Sequence, residues 1–487
     1  MTGSISFILN GEEMEVRDFG PTETLLDWLR LSRRLTGSKE GCAEGDCGAC
    51  TVLVGRLVED RLVYEGVNAC IRFLGSLNAT HIVTVEYLAA ARGALHPVQS
   101  AMVDCHGSQC GFCTPGFIMS LTALWLTNPK PTRDDIERAL QGNLCRCTGY
   151  EAIIKAAEKA SETRADASDP LYGGAEKIAS RLRDLALTET ATIEKDGERS
   201  ILPASIADLA TILACEPKAT IVAGSTDTGL WVTKQMRKLD PVVFIGHLSE
   251  LQSLAVTPQG IHIGAGVTYT QAFDTLSREI PAFGRLIARI GGQQVRNMGT
   301  IGGNIANGSP IGDTPPALIA LGAELTLSGV NGPRRLPLES YFIEYGKQDR
   351  KPGEFVESVF VPRPKAGAHY AVYKISKRRD EDISAACGGF YLELENNTVK
   401  TIRIAFGGMA GTPKRASAVE AALTGKPWTE ETVKAAQAAF DTDYQPLTDW
   451  RATADYRRLA VKNLLMRFYL ETTGNPQELK RYPEAAE

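Results

Sequence analysis

The sequence predicts a mixed α+β chain built from several domains. Three observations indicate this: an opening hairpin followed by a cysteine-rich loop, a helical stretch with a second group of cysteines, and a long glycine-rich part in which short strands alternate with helices. The chain has 487 residues, which is too many for one hydrophobic core and enough for three or four domains.

Composition and charge are those of an ordinary soluble globular protein. Hydrophobic residues make up 43% and charged residues 23%, with a net charge of −5. This balance attracts neither phosphate backbones nor anionic lipid, so no nucleic acid and no membrane is expected as a partner. Residues 1–16 lack the basic and apolar regions of a signal peptide, and no apolar run could span a bilayer. We therefore expect a cytoplasmic protein with reduced thiols.

Residues 1–86 are predicted to form a small α+β domain. Segments 4–9 and 12–16 flank Asn10-Gly11, a dipeptide suited to the two positive φ angles of a type I′ hairpin turn. The elements expected after this hairpin are a helix over 24–31, capped by Thr22 or Thr24, and strands over 51–54 and 61–64. Hairpin, helix and cysteine loop together favour a plant-type ferredoxin-like β-grasp domain.

The first cysteine group consists of Cys42, Cys47, Cys50 and Cys70. Its C-x4-C-x2-C…C spacing is that of plant-type [2Fe–2S] ligands. Structural zinc also uses four cysteines, but zinc sites usually repeat a C-x2-C pair, and this group has only one. Glycines between the ligands let the backbone fold tightly and direct N–H groups at the sulfurs.

The second group, Cys110, Cys113, Cys145 and Cys147, lies in a predicted helical-bundle domain over 87–162. Helices are expected over 117–126, 132–140 and 150–160. Both cysteine pairs precede helix N-termini, where free N–H groups and the positive dipole end suit a negatively charged cluster. Spacing alone leaves zinc open, although a C-x-C pair is awkward for tetrahedral coordination. The isolated Cys105, Cys215 and Cys387 are expected to be buried structural thiols.

A connector over 163–194, with one amphipathic helix, leads to a cofactor-binding α+β domain over 195–368. This domain has no G-x-G-x-x-G between a strand and a helix, so the Rossmann fingerprint is missing. Two glycine-rich loops, 221–229 and 299–313, could instead form anion-binding nests. Each loop taken alone is also compatible with an ordinary tight turn.

The last domain, over 369–487, is predicted to alternate strands and helices. The expected elements are strands over 371–375 and 401–406 and helices over 415–423, 429–440 and 451–470.

Three strings, GCAEGDCGAC at 41–50, SQCGFCTPG at 108–116 and QGNLCRCTGY at 141–150, resemble the iron–sulfur signatures of the molybdenum hydroxylases, the xanthine dehydrogenase and aldehyde oxidase family. The resemblance implies two [2Fe–2S] clusters. It places the cluster of the helical domain nearest a molybdopterin and the ferredoxin-like cluster nearer a flavin. It also implies that Gln109 contacts the molybdenum cofactor.

The two glycine loops resemble the FAD-binding domain of the same family, of vanillyl-alcohol-oxidase type. The resemblance implies that 221–228 wraps the pyrophosphate and adenosine, that Ile290 and Val356 face the flavin ring, and that Lys374 is a basic contact. Ile290 stands where vertebrate members have an aromatic ring, so stacking on the flavin would be lost. The implied FAD contacts are Ile221, Val222, Ala223, Gly224, Ser225, Thr226, Asp227, Thr228, Ile290, Thr300, Gly303, Asn304, Ser309, Asp313, Val356 and Lys374.

The resemblance also implies that the functions of the enzyme are divided between two subunits. Eukaryotic members continue into a large molybdopterin domain that has no counterpart here, so we expect a separate large partner subunit, with the heterodimer paired into a heterotetramer. The fused iron–sulfur and FAD modules favour the bacterial xanthine dehydrogenase branch, with NAD+ as electron acceptor and no catalytic acid or base on this chain. The alternatives are a subunit of an aldehyde or N-heterocycle hydroxylase that uses oxygen or a quinone, and a zinc-stabilised nucleotide-binding module.

Overall fold

A computed structural model describes residues 3–91 and 93–475. Residues 476–487 of the predicted last domain therefore lie outside the described residues, as do residues 1, 2 and 92. The expected mixed α+β, multidomain organisation is confirmed. Within the described ranges, no helix has both the length and the apolar composition needed to cross a membrane.

The first domain is built on a five-stranded sheet in the order β2-β1-β5-β3-β4. Its elements are β1 Ile5–Leu9, β2 Glu12–Val16, α1 Leu25–Asp27 with a π-helical turn at Trp28–Ser32, β3 Thr51–Val58, β4 Arg61–Asn68, a 3₁₀ turn at Leu74–Leu77 and β5 His81–Val83. Asn10 and Gly11 have φ angles of 50° and 87°, as the predicted turn requires. Thr24 caps α1 by accepting a hydrogen bond from the N–H of Asp27.

Strands β3 and β4 are each twice as long as the four residues predicted, with eight residues each. The expectation for β3 ended at Val54 because the next residue, Gly55, weakens the strand pattern. In the structure Gly55 pairs with Tyr64, and a Cβ on Gly55 would lie 2.6 Å from the Tyr64 ring. The ring takes the place that a side chain at residue 55 would fill.

The second domain is helical. Its elements are α2 Val85–Ala90, α3 Pro97–Asp104, α4 Thr114–Thr127, α5 Arg133–Ala139 and α6 Glu151–Ala160. The three predicted helices correspond to α4, α5 and α6, whereas α2 and α3 were not predicted. Helix α4 is apolar on most sides, and Phe117, Met119 and Leu121 are among its buried residues. It also packs against β3, and this contact joins the first two domains.

Helix α7, Ala175–Asp184, is the amphipathic helix expected in the connector. It packs Ile178 and Leu182 against Ile8 of the first sheet. Strand β6 begins at Ala191, within the predicted connector, but pairs with β7 (Glu198–Leu202) and so belongs to a sheet of the third domain.

The third domain has two principal sheets, β6-β7-β9-β8 and β10-β11-β16-β12-β13. Its strands are β6 Ala191–Lys195, β7 Glu198–Leu202, β8 Thr220–Val222, β9 Val242–Phe244, β10 Leu254–Val256, β11 Gly260–Gly264, β12 Glu324–Ser328, β13 Arg334–Pro337, β14 Phe342–Glu344, β15 Lys347–Gln348 and β16 Phe355–Pro362. Its helices are α8 Ile206–Cys215, α9 Thr228–Thr233, α10 Tyr269–Glu279, α11 Pro281–Ile287, α12 Gln293–Met298, α13 Ile301–Asn307 and α14 Thr314–Leu321, with 3₁₀ turns at Ser249–Gln252 and Leu338–Tyr341.

The fourth domain is a sheet in the order β17-β18-β19-β20 covered by helices. Its elements are β17 His369–Ile375, β18 Ala386–Glu395, β19 Thr398–Gly407, β20 Lys414–Arg415, α15 Ser417–Leu423, α16 Glu430–Ala436, a 3₁₀ turn at Gln437–Ala439, α17 Phe440–Asp443 and α18 Ala454–Thr472. Helix α14 of the third domain packs closely on this sheet, since a Cβ on Gly389 would lie 2.5 Å from the carbonyl oxygen of Pro316.

Candidate functional site

The first cysteine group converges at one end of the first sheet. Strands β3 and β4 are paired there, so Cys50 just before β3 and Cys70 just after β4 come together. The thiol of Cys42 is in hydrogen-bonding contact with those of Cys47 and Cys70, and Cys70 also contacts Cys50. These contacts lower the pKa of Cys42 and raise the pKa of Cys47 and of Cys70.

The second cysteine group gathers at the N-terminal ends of two helices. Cys113 is the N-cap residue of α4, and Cys145 and Cys147 lie in the loop that leads into α6. Contacts link the thiol of Cys110 with that of Cys147, and the thiol of Cys113 with that of Cys145. The N–H of Phe112, followed by the Cys147 thiol, lowers the pKa of Cys110.

Both groups have the chemistry that an iron–sulfur cluster needs. The N–H of Cys47 points at the Sγ of Cys42 at 3.4 Å, and the Thr148 hydroxyl lies 3.2 Å from the Sγ of Cys145. Hydrogen bonds of this kind tune clusters. In the part of the chain that the structure describes, no three or more His, Cys, Asp or Glu side chains are arranged to hold a metal ion. The iron–sulfur assignment therefore depends on thiol convergence, ligand spacing and family comparison.

The three remaining cysteines differ from the expectation of buried thiols. Cys387 is buried, Cys105 is half-buried and Cys215 is exposed. The expectation was wrong for Cys215 because it ends α8, where the apolar side of the helix gives way to solvent.

The two cysteine loops touch each other. The N–H of Leu144, the residue before Cys145, donates a hydrogen bond of 3.0 Å to the carbonyl oxygen of Cys47. Gly48 must be glycine at this contact: its φ is +67°, and a Cβ would lie 2.1 Å from the carbonyl oxygen of Gly142. A peptide hydrogen bond thus joins the segments that carry the two ligand groups.

A cavity of about 630 Å³ opens in the third domain, and fifteen of the predicted cofactor residues line it. These residues come from β8 and the loop that leads from it into α9, from the segment 290–313, and from β16 and β17. They are Ile221, Ala223, Gly224, Ser225, Thr226, Asp227, Thr228, Ile290, Thr300, Gly303, Asn304, Ser309, Asp313, Val356 and Lys374. The structure thus brings together residues that span more than 150 positions of the sequence.

Two of the predicted cofactor residues lie elsewhere. Val222 is buried in an apolar core, because alternate side chains of a strand point to opposite faces and those of Ile221 and Ala223 face the cavity. Gln109 is exposed beside the exposed Cys110, on the surface of the helical domain.

Sequence reasoning missed the residues that the first domain contributes to the cavity. Glu44, Gly45 and Asp46, between the ligands Cys42 and Cys47, line its wall. Their only signal in the sequence is their place between two cysteines, which says nothing about a cavity in another domain. The first cysteine loop is therefore in contact with the second cysteine loop and also with the cavity.

The backbone of the cavity wall is closely packed. A Cβ on Gly224 would lie 1.7 Å from the carbonyl oxygen of Met298, so only glycine fits between β8 and α12. Thr300 caps α13 by accepting a hydrogen bond of 2.9 Å from the N–H of Gly303. The two glycine loops thus meet at one wall, where backbone N–H groups and hydroxyls could bind a pyrophosphate.

A buried ion pair lies in the cavity wall. The Nζ of Lys374 lies 2.7 Å from Asp313 Oδ2, and the side chains are 3% and 9% exposed. Lys374 also donates to the carbonyl oxygen of Arg289, while Ser384 donates to the other oxygen of Asp313 at 2.5 Å. These bonds join the third and fourth domains beside the cavity.

The charged loop 377–382 is only partly solvated. Lys377, Arg378 and Arg379 are exposed, whereas Glu381 and Asp382 are half-buried and line the cavity. Burial, followed by repulsion from Asp46, raises the pKa of Glu381 to about 8. Burial also raises the pKa of Asp46.

Three family models match the chain in order. A [2Fe–2S] binding domain matches residues 84–158, the FAD binding domain of molybdopterin dehydrogenases matches 195–364, and the CO dehydrogenase flavoprotein C-terminal domain matches 371–472.

Curated relatives match over nearly the whole chain. The xanthine dehydrogenase/oxidase of Gallus gallus is 30% identical over 538 residues, which cover 95% of this chain and 40% of the relative. Aldehyde oxidase 2 of Macaca fascicularis is 30% identical over 533 residues, which cover 98% of this chain and 39% of the relative. The chain thus spans about 40% of the length of these relatives.

A solved carbon monoxide dehydrogenase from Hydrogenophaga pseudoflava, which lacks the Mo-pyranopterin moiety of its cofactor, has a similar structure. Its TM-score is 0.54 and its identity 28%, over 57% of this chain and 97% of that one. Together with the cysteine groups and the cavity, the comparisons identify this chain as carrying the iron–sulfur and FAD electron-transfer domains of the molybdenum hydroxylase family.

Proposed function

We propose that this chain is the iron–sulfur/FAD subunit of a xanthine dehydrogenase. In this proposal a molybdopterin-bearing partner hydroxylates hypoxanthine or xanthine, and the electrons reach NAD+ by way of two [2Fe–2S] clusters and FAD. One observation carries the proposal: the loop of Cys42–Cys50 contacts the second cysteine loop on one side and lines the FAD-sized cavity on the other.

The residues have distinct parts in this proposal. Cys42, Cys47, Cys50 and Cys70 hold one cluster, and Cys110, Cys113, Cys145 and Cys147 hold the other. The fifteen cavity residues named above bind FAD, which supplies the change from single-electron to hydride transfer. We assign no catalytic acid or base, because the chain has only to bind, place and tune its cofactors.

The surface around the second cysteine group is the proposed face for the partner. Cys110 and Cys147 are exposed, as are the neighbouring Gln109 and Arg146. Phe112 and Leu144 add apolar side chains that are 47% and 42% exposed. A molybdopterin subunit on this face would contact Gln109, and two such pairs would form a cytoplasmic heterotetramer.

A second candidate function differs in substrate and electron acceptor. Aldehyde oxidase 2 matches this chain with the same identity as the xanthine enzyme, and Ile290 offers the flavin ring no aromatic stacking partner. Both observations favour, as the alternative, a subunit of an aldehyde or N-heterocycle hydroxylase that uses oxygen or a quinone.

Rapid-mixing reoxidation distinguishes the two candidates. The chain is purified with its partner from the native host, its iron and flavin are measured, and the reduced complex is mixed with NAD+ or with oxygen. Fast reoxidation by NAD+ and turnover of xanthine support the main proposal, whereas fast reoxidation by oxygen alone supports the alternative. A preparation that contains zinc, and neither iron nor flavin, would overturn both.

A further inference from the structure

One buried side chain, Gln294, lies where the first three domains meet. It is the second residue of α12, and the nearby Gly291, Gly292 and Val295 line the cavity. Its Nε2 lies 3.2 Å from Thr51 Oγ1 in the first domain, and 3.1 Å from Ser120 Oγ and 2.9 Å from Asn143 Oδ1 in the second. Gln294 is 2% exposed.

The hydrogen-bond pattern fixes which end of the Gln294 amide faces this junction. The Thr51 hydroxyl donates to the carbonyl oxygen of Gly48 at 2.6 Å, and the Ser120 hydroxyl donates to Asn143 Oδ1 at 2.7 Å. Both hydroxyl hydrogens are therefore engaged, and the two oxygens can only accept from Gln294. Its NH₂ group, rather than its oxygen, must face them.

The partners of Gln294 act directly on the two cysteine loops. Asn143 lies two residues before Cys145, and its Nδ2 donates to the carbonyl oxygen of Gly48 at 3.2 Å. Thr51 donates to that same oxygen. The peptide between the ligands Cys47 and Cys50 is thus held from both domains, next to the hydrogen bond from Leu144 to Cys47.

Burial gives this network its rigidity. Thr51, Ser120 and Asn143 are 0%, 5% and 2% exposed, and a polar group buried without a partner costs about 1–3 kcal/mol. The Oε1 of Gln294 is buried without a hydrogen-bond partner, so the bonds made by its NH₂ group are the ones that favour this relative position of the three domains.

We propose that Gln294 is a positioning residue that sets the separation of the two iron–sulfur ligand groups, acting through Asn143 and Thr51 on the backbone at Gly48. The inference rests on the proposed function, because it takes both cysteine groups to hold [2Fe–2S] clusters. It goes further by giving a residue of the flavin domain control over the geometry between the other two domains.

The test compares Gln294→Met, which keeps the length of the side chain and removes its donors, with Asn297→Leu. Asn297 lies on the same helix, is 7% exposed and donates to the carbonyl oxygen of Gly66 in the first domain. It has no hydrogen bond to the helical domain in the described structure. Ser120→Ala is the second variant, since a smaller change in the same network is less disruptive to folding.

The readout is the magnetic interaction between the two reduced clusters, recorded by electron paramagnetic resonance on the cofactor-loaded protein and accompanied by iron and flavin analysis. We expect Gln294→Met and Ser120→Ala to keep their iron and to lose part of the intercluster splitting, because dipolar coupling falls steeply with distance. Asn297→Leu should keep the wild-type splitting. Unchanged splitting in both network variants would overturn the inference, whereas a wild-type chain without two clusters would overturn the proposed function itself.

Discussion

The buried pair Lys374–Asp313 yields the most quantitative prediction. At a separation of 2.7 Å and an effective dielectric constant of about 20, the two charges attract each other by about 6 kcal/mol. Desolvation of the two ions offsets much of this attraction, so the pair contributes little net stability. Removal of one partner is costly, because the other charge is then left buried alone.

We therefore expect Lys374→Met to lower the free energy of unfolding of the flavin-bearing part by about 3–5 kcal/mol. Asp313 would keep its bond from Ser384 but lose its counter-charge. The double variant Lys374→Met/Asp313→Asn should recover most of the loss, since it leaves no unpaired charge.

Urea unfolding followed by flavin fluorescence measures this difference. Lys365→Met is the matched control: Lys365 also pairs with a carboxylate, that of Glu393, but its side chain is 72% exposed. Exposed pairs of this kind contribute about 0–1 kcal/mol. The reasoning would be refuted if the double variant were no more stable than Lys374→Met, or if the control lost as much stability as the buried pair.

Three further predictions concern the cofactors and pH. Cys145→Ser should halve the iron content measured by metal analysis while the flavin is retained; loss of all iron would contradict two separate groups. Gly224→Ala should lower the flavin-to-protein absorbance ratio, because the new Cβ would meet the carbonyl oxygen of Met298 at 1.7 Å. Burial raises the pKa of Glu381 from 4.5 to about 8, so its protonated carboxyl group contributes to the stability of the folded protein fully below pH 4.5, and this contribution is lost as the pH rises through 8. Glu381→Gln should therefore flatten the dependence of the free energy of unfolding on pH in that range. An unchanged dependence would contradict the raised pKa. The charged groups facing Glu381 are Asp46, Arg378, Arg296 and Asp380.

Local chemistry was predictable from the sequence, whereas contacts between domains were not. The turn at Asn10-Gly11 follows from two adjacent residues, and the cap at Thr24 from a short pattern. The cysteine spacing of the first group likewise predicts its convergence. In each case the interaction that decides the structure lies within a short segment.

The contribution of Glu44–Asp46 to the cavity, and of Gln294 to the domain junction, could not be predicted. Gln294 lies 151 residues from Asn143 and 243 from Thr51, and nothing in its local sequence distinguishes it from a surface glutamine. The Cys215 error has the same origin, because the exposure of a helix end depends on what packs around it.

The two cysteine groups differ in their access to solvent. The first group has no exposed thiol: Cys50 and Cys70 are 1% and 3% exposed, and Cys42 and Cys47 are half-buried. In the second group Cys145 is buried and Cys113 half-buried, but Cys110 and Cys147 are exposed. A thiol reagent, a metal chelator or molecular oxygen can therefore reach the second group on the folded chain without any opening of the domains. If the proposed function holds, oxidative loss of iron would begin at the second group, and a partner bound on the proposed face would cover these two thiols.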